Sequence, residues 1–248
     1  MIYEEICRIR EKLPLGSNIF YMSIEAEAIA HKATPGQFVM IRVSESFDPF
    51  LRRPLSIAGR ARDQIEILFS VTGRGTSLLS KMEPKAKISV RGPLGSGFPK
   101  PKGKPLIFIG GGIGIAPLLF AYQFYPSRTI LGIKDRNWKD FYEWIKARIG
   151  ENLAVFSEDG SIGSKGNCID GAEKLFNKES EIWACGPEEM ISYLKKRIGG
   201  KVSRILVSLE ARMACGIGGC YGCSIETQRG RRKVCVDGPV FELEEVMI

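Results

Sequence analysis

Leu106-Ile107-Phe108-Ile109-Gly110-Gly111-Gly112-Ile113-Gly114-Ile115-Ala116-Pro117 reads as an apolar strand, a glycine turn and the start of an apolar helix that runs to about Phe124. In an open parallel sheet, the turn after such a strand is where nucleotides bind. The free N–H groups and dipole of the following helix favour a pyrophosphate. The spacing is Gly112-x-Gly114-x-x-Pro117 rather than G-x-G-x-x-G, so alone it reads equally as a tight turn. Pro105 to Ser127 carries no charge over 23 residues, long enough to cross a bilayer. Its central glycines and Pro117 would break a lone helix in lipid, so a buried strand, loop and helix are expected instead.

Downstream, Thr129–Ile133, Leu153–Ser157 and Glu181–Cys185 read as strands. Helical stretches are expected at Asp140–Ile149, near 168–176, and at Glu188–Arg197. Alternating strands and helices over this length predict a parallel nucleotide-binding sheet. Upstream, Pro99-Lys100-Pro101-Lys102-Gly103-Lys104-Pro105 is a linker by composition. Before it, Ile19–Ile24, Phe38–Val43, Ile65–Val71 and Ala86–Val90 are short strands between turns, which predicts a small antiparallel β-barrel. A helix near 77–82 is expected, with Thr76 or Ser77 as its N-cap. Gly199-Gly200 marks a second break. The fold class is therefore multidomain, α/β and β: a barrel over 1–98, an α/β domain over 99–200 and a Cys- and Gly-rich module over 201–248.

The 248 residues are ample for one large domain or for two or three small ones. The apolar share of 44% and charged share of 26% argue against wholesale disorder. The net charge of +8 suits phosphate-bearing cofactors or an acidic partner. No aromatic-interleaved basic stripe accompanies it, so nucleic acid is not an expected partner. The one dense run, Arg229, Arg231, Arg232 and Lys233, is either a docking contribution or a solvated hairpin tip. The acidic opening Met1-Ile2-Tyr3-Glu4-Glu5 is no secretory signal. A soluble, cytoplasmic chain without membrane contact is expected.

Seven cysteines without such a signal argue against a disulfide framework. Cys215, Cys220, Cys223 and Cys235 follow C-x4-C-x2-C-x11-C, and the first three match the plant-type 2Fe-2S pattern. Gly216, Gly218, Gly219 and Gly222 let one tight loop bring thiolates together. A zinc site is the alternative, although zinc more often takes well-separated C-x2-C pairs. Cys7, Cys168 and Cys185 are scattered and read as small buried hydrophobes. His31 is the only histidine, so no Ser/His/Asp arrangement exists and no protein acid or base is expected to dominate.

In the β-rich part, Arg52-Arg53-Pro54-Leu55-Ser56 places an Arg that can clamp a diphosphate and a hydroxyl that can face a flavin. Gly73-Arg74-Gly75-Thr76-Ser77 opens a helix that could receive the diphosphate. Arg53-Pro54-Leu55-Ser56 resembles the R-x-Y-[ST] flavin signature of the ferredoxin–NADP reductase superfamily. Gly112-Ile113-Gly114-Ile115-Ala116-Pro117 resembles its nicotinamide loop, and Cys185-Gly186-Pro187 its C-G-P element. Ser208–Cys223 and Val234–Phe241 narrow this further. They resemble the family of electron-transfer subunits of dihydroorotate dehydrogenase B, and the resemblance covers essentially the whole chain.

That resemblance implies an NAD-dependent oxidoreductase subunit with an FAD barrel, an NAD(H) domain and a 2Fe-2S module. It pairs with an FMN-containing catalytic subunit, two of each, in pyrimidine biosynthesis. Carried over by position, the FAD contacts are Arg53, Pro54, Leu55, Ser56, Leu68, Phe69, Ser70, Gly75 and Thr76. Leu55 replaces the superfamily's aromatic, so stacking of a tyrosine on the flavin is not expected. Gly112, Gly114, Pro117, Cys185, Gly186 and Pro187 are the expected nicotinamide-nucleotide contacts. Glu158-Asp159, after a strand, can accept hydrogen bonds from ribose hydroxyls and repel a 2′-phosphate, which favours NADH over NADPH. Two other readings stand beside this one. One is a flavin and iron–sulfur subunit of an NADH-dependent ferredoxin–NADP oxidoreductase or a sulfhydrogenase. The other is a zinc-bearing nucleotide-binding regulator.

Overall fold

The computed structural model describes residues 1–248. Six antiparallel strands close the N-terminal barrel: β1 (Tyr3–Pro14), β2 (Ile19–Glu25), β3 (Phe38–Arg42), β4 (Arg53–Ala61), β5 (Gln64–Ser70) and β6 (Lys87–Leu94). Their order is β1-β2-β5-β4-β3-β6. Closure pairs β1 with β6 and β3 with β6, so no strand edge is left open. Two of the barrel's strands escape the sequence reading. β1 is rich in charge, and only Cys7 and Ile9 point fully inward. β4 begins Arg53-Pro54 and contains Gly59, a composition that reads as a turn. Two helices serve the barrel, α1 (Glu27–Lys32), which the sequence reading lacks, and α2 (Arg74–Lys81). α2 starts earlier than expected, with Gly73 as its cap. Thr76 lies inside it, and its hydroxyl accepts from the Thr72 and Gly73 N–H groups at 3.0 and 3.3 Å.

Strands β7 (Leu106–Gly111), β8 (Arg128–Ile133), β9 (Leu153–Ser157), the short β10 (Ser164–Lys165), β11 (Glu181–Cys185) and β12 (Arg204–Ser208) form a parallel sheet. β13 (Ser224–Thr227) and β14 (Gly230–Lys233) make a separate hairpin, and β15 (Val240–Glu242) joins the sheet antiparallel to β12. The sheet order is β10-β9-β8-β7-β11-β12-β15, so its last two strands come from beyond residue 200. Chain order runs outward from β7 in both directions, and the crevice between the ends of β7 and β11 is the switch point where ligands bind such sheets. Its helices are α3 (Ala116–Tyr122), α4 (Lys139–Ile149), α5 (Cys168–Ala172) and α6 (Glu188–Ile198). The Pro105–Ser127 stretch is thus a strand, a glycine turn and a short helix. No helix is long and apolar enough to cross a membrane.

The parts share cores. Phe120 of α3 lies in the barrel core with Ile57, Ile67 and Phe69. Phe98 stacks on Trp183 of β11, with centroids 4.4 Å apart and planes at 4°. The 99–105 segment is pinned rather than free. Lys102 and Gly103 donate their N–H groups to the fully buried carboxylate of Glu181 at 2.6 and 2.9 Å. The cysteine-rich module has no core of its own. Cys223, Val234 and Cys235 pack in one cluster with Phe38, Met40 and Leu94 of the barrel and with Phe241 and Leu243. The basic run lies on the β13–β14 hairpin and is largely paired: Arg231 with Glu226 at 2.8 Å, Arg229 with Glu245 at 3.7 Å and Arg232 with Asp237 at 3.8 Å.

Candidate functional site

One cleft of about 260 Å³ lies where the barrel, the sheet and the cysteine-rich module meet. Arg53, Pro54, Leu55 and Ser56 of β4, Leu68, Phe69 and Ser70 of β5, and Thr76 of α2 all line it. Eight of the nine residues expected to contact a flavin therefore converge. The ninth, Gly75, lies beneath Arg53. A Cβ there would sit 2.6 Å from Arg53 Nη1, so the glycine lets the guanidinium rest on the first turn of α2. Arg53 is held from the other side as well, where Nη2 donates to the Leu51 carbonyl at 2.6 Å. A cation and open helix N–H groups at one end of an apolar slot suit a flavin with its diphosphate.

The sequence reading missed what closes this cleft. Ile113 and Ala116 come from the glycine loop and α3, and Leu209, Glu210, Ala211, Met213 and Pro239 come from the C-terminal part. The latter lie within the C-terminal motif, but strand patterning does not show that they face a cleft. Glu210 keeps solvent contact, yet the protein packed around it raises its carboxyl above the ordinary value.

A second cavity, of about 510 Å³, opens at the switch point. Gly112, Glu158 and Pro187 line it, together with Lys134, Trp138 and Met190, which the sequence reading did not single out. Gly114, Pro117, Cys185 and Gly186 stand behind it. A Cβ on Gly114 would lie 2.6 Å from the Cys185 carbonyl oxygen, so this glycine lets two loops touch rather than opening room for a ligand. Pro117 is buried in the first turn of α3. Cys185 is buried, which pushes its thiol far up and leaves it unreactive. Asp159 does not line the cavity. Its carboxylate accepts from the Ser161 N–H at 2.9 Å and hydroxyl at 2.7 Å, and these bonds hold it below the usual range. The crevice and its loop backbones fit a nicotinamide dinucleotide.

In the third site, Cys223 and Cys235 are buried, Cys215 is half-buried and Cys220 is exposed. Gly216 has φ +70° and packs on Met40 of β3. Burial pushes the Cys215 thiol up, but N–H groups of Ile217, Cys220 and Gly219 and the Cys220 side chain outweigh it, bringing it down to about 6. Burial, with Cys223 alongside, pushes Cys235 up to about 12. The Cys215 thiol interacts with Cys220, and the Cys235 thiol with Cys223 and, through charge, with Cys215, so the four side chains of the spacing motif lie in one neighbourhood that suits a 2Fe-2S cluster.

Residues 210–247 match the family model of the iron–sulfur cluster binding domain of dihydroorotate dehydrogenase B. Electron transfer subunits of dihydroorotate dehydrogenase B (NAD(+)) are similar along the whole chain. The one from Geobacillus thermodenitrificans is 34% identical, covering 100% of both chains, and that from Bacillus velezensis is 34% identical over 97% of each. Among solved structures, a chain of the NADH-dependent reduced ferredoxin–NADP oxidoreductase superposes with a TM-score of 0.80 at 29% identity, covering 98% of this chain and 90% of that one. The ferredoxin reductase of carbazole 1,9a-dioxygenase, at 21% identity and a TM-score of 0.70 over 82% of this chain and 68% of that one, shares the fold. With the identity spread over its full length and the cysteine loop matched by the family's own model, the chain belongs to the family of electron transfer subunits of dihydroorotate dehydrogenase B (NAD(+)).

Proposed function

We propose that this chain relays electrons between NAD(H) and the FMN-containing catalytic subunit of dihydroorotate dehydrogenase B, in the cytoplasm, for the conversion of dihydroorotate to orotate. The observation that carries the reading is the 260 Å³ cleft, because residues from the barrel, the glycine loop and the segment leading to Cys215 all line it. FAD held there by these residues would supply the exchange between two-electron hydride chemistry with a nicotinamide and one-electron transfer to an iron–sulfur cluster.

The chain's own residues bind and orient. Arg53 and the N–H groups of Gly75 and Thr76 hold the FAD diphosphate, and Ser56 faces the flavin ring. Leu55, Leu68 and Phe69 exclude water from the slot, with Pro54 and Ser70 at its wall. Gly112, Glu158 and Pro187 receive the nicotinamide nucleotide. Gly114, Cys185 and Gly186 hold its two loops together, and Pro117 opens the buried helix α3 behind them. Cys215, Cys220, Cys223 and Cys235 hold the 2Fe-2S cluster. No side-chain acid or base is assigned.

Reconstitution tests this reading. The purified chain reduces dyes with NADH and shows no dihydroorotate-dependent activity. Adding the FMN-containing dehydrogenase links NAD to dihydroorotate and orotate. Dihydroorotate oxidation by the chain alone would refute the relay. The full-length structural likeness at a TM-score of 0.80 supports a second reading, a subunit of an NADH-dependent ferredoxin–NADP oxidoreductase. Coupling to ferredoxin and NADP, and none to dihydroorotate, would select it.

A further inference from the structure

We propose that Phe47 and Phe50, on the loop between β3 and β4, form a stacking platform for the adenine of bound FAD. The proposal rests on the assignment of FAD to the 260 Å³ cleft. The two rings lie at the surface, Phe47 89% and Phe50 65% exposed, yet they stack on each other with centroids 6.2 Å apart and planes at 19°. Neither belongs to any of the three cores, so packing of the chain does not account for them.

Their attachment points to a ligand. Asp48 lies between them in sequence and pairs with Arg74, the first residue of α2, at 2.7 Å. The carbonyl of Leu51, next to Phe50, accepts from Arg53 Nη2 at 2.6 Å. The loop is thus tied to both groups assigned to the diphosphate, Arg53 and the first turn of α2. The cleft itself is too small for the whole cofactor. At about 260 Å³ it falls below the range that encloses a drug-sized ligand, and a flavin dinucleotide is larger still. With the flavin in the slot and the diphosphate at Arg53 and Gly75, the adenosine lies outside the cleft, and the loop carrying the two rings is anchored at that end through Asp48 to Arg74 and Leu51 to Arg53. A purine laid on a phenylalanine face extends the existing stack without any change in the core.

Comparing FAD with FMN, which lacks the adenylate, isolates this contact. The flavin-free full-length chain is titrated with each. Phe47→Ala/Phe50→Ala weakens FAD roughly tenfold or more, the loss of one aromatic–base stack, and leaves FMN affinity unchanged. Phe50→Trp keeps FAD binding. The rings are exposed, so the variants fold, which circular dichroism verifies. The platform is overturned if the double variant keeps full FAD affinity, or if FAD and FMN weaken equally. Wild-type chain that binds FMN as tightly as FAD also overturns it, while leaving the flavin site in place. Wild-type chain that binds neither flavin refutes the FAD assignment itself. A double variant that keeps FAD but no longer binds the dehydrogenase assigns the rings to the partner and overturns the proposal.

Discussion

At Gly75 and Gly114 the same residue type does two different jobs, and only atomic neighbours distinguish them. A methyl at Gly75 would meet the far end of the flexible Arg53 side chain, whereas one at Gly114 would meet the backbone of Cys185. Gly75→Ala therefore displaces a guanidinium and spares the fold. Thermal stability should hold or rise, since alanine is the better helix former by about 1 kcal/mol. FAD affinity should fall about tenfold, the size of one charge-assisted hydrogen bond. Titration and a melt on the same sample check both. The acidic pair after β9 divides similarly. Sequence makes Glu158 and Asp159 equivalent, but only Glu158 lines the cavity, while Asp159 is engaged by Ser161. Glu158→Gln should narrow the NADH-over-NADPH ratio of kcat/KM, and Asp159→Asn should leave it unchanged. Equal effects from the two variants would count against Glu158 as the discriminating group.

Elements were legible where apolar residues dominate and hidden where charge masks the pattern. β7 and β11 are apolar for most of their length and buried on both faces, and β8 and β9 carry the apolar stretches Ile130–Leu131 and Leu153–Phe156, so these strands stand out. β1 does not, because charged residues take half of its positions and one of its two partners, β6, lies far along the chain. Glu4 pairs with Arg91 of β6 at 2.7 Å and also with Arg52. The hydrogen bond from Arg91 holds the Glu4 carboxyl below its ordinary 4.5, against the opposing effect of burial and with help from the Arg52 and Arg91 charges. A lowered carboxyl contributes stability that is present above 4.5 and lost as pH falls through the lower folded value. Urea midpoints measured across that acid range should fall less steeply for Glu4→Gln than for the wild-type chain.

For the whole molecule, the sequence reads as three consecutive modules, but the cores are not consecutive. β12 pairs with β11, and Ile205 and Val207 pack in the same cluster as Ile182, Cys223 and Cys235. A chain truncated after Gly200 should thus lose more than the cluster. It should expose Ile182 and Ala184, lose its cooperative melting transition and aggregate; a cooperative melt near the wild-type temperature would show that the first 200 residues stand alone. The sequence by itself determined the chemistry. The cysteine spacing, the Arg53–Ser56 motif and the glycine turn are local, and local patterns are what a linear sequence displays. The tertiary structure alone decided how these stations join. Ile113, Glu210, Met213 and Pro239 face Arg53 and Ser56 across one cleft, although they lie far apart along the chain. That meeting depends on burying apolar surface between parts of the chain distant in sequence, a long-range energy that no local pattern encodes.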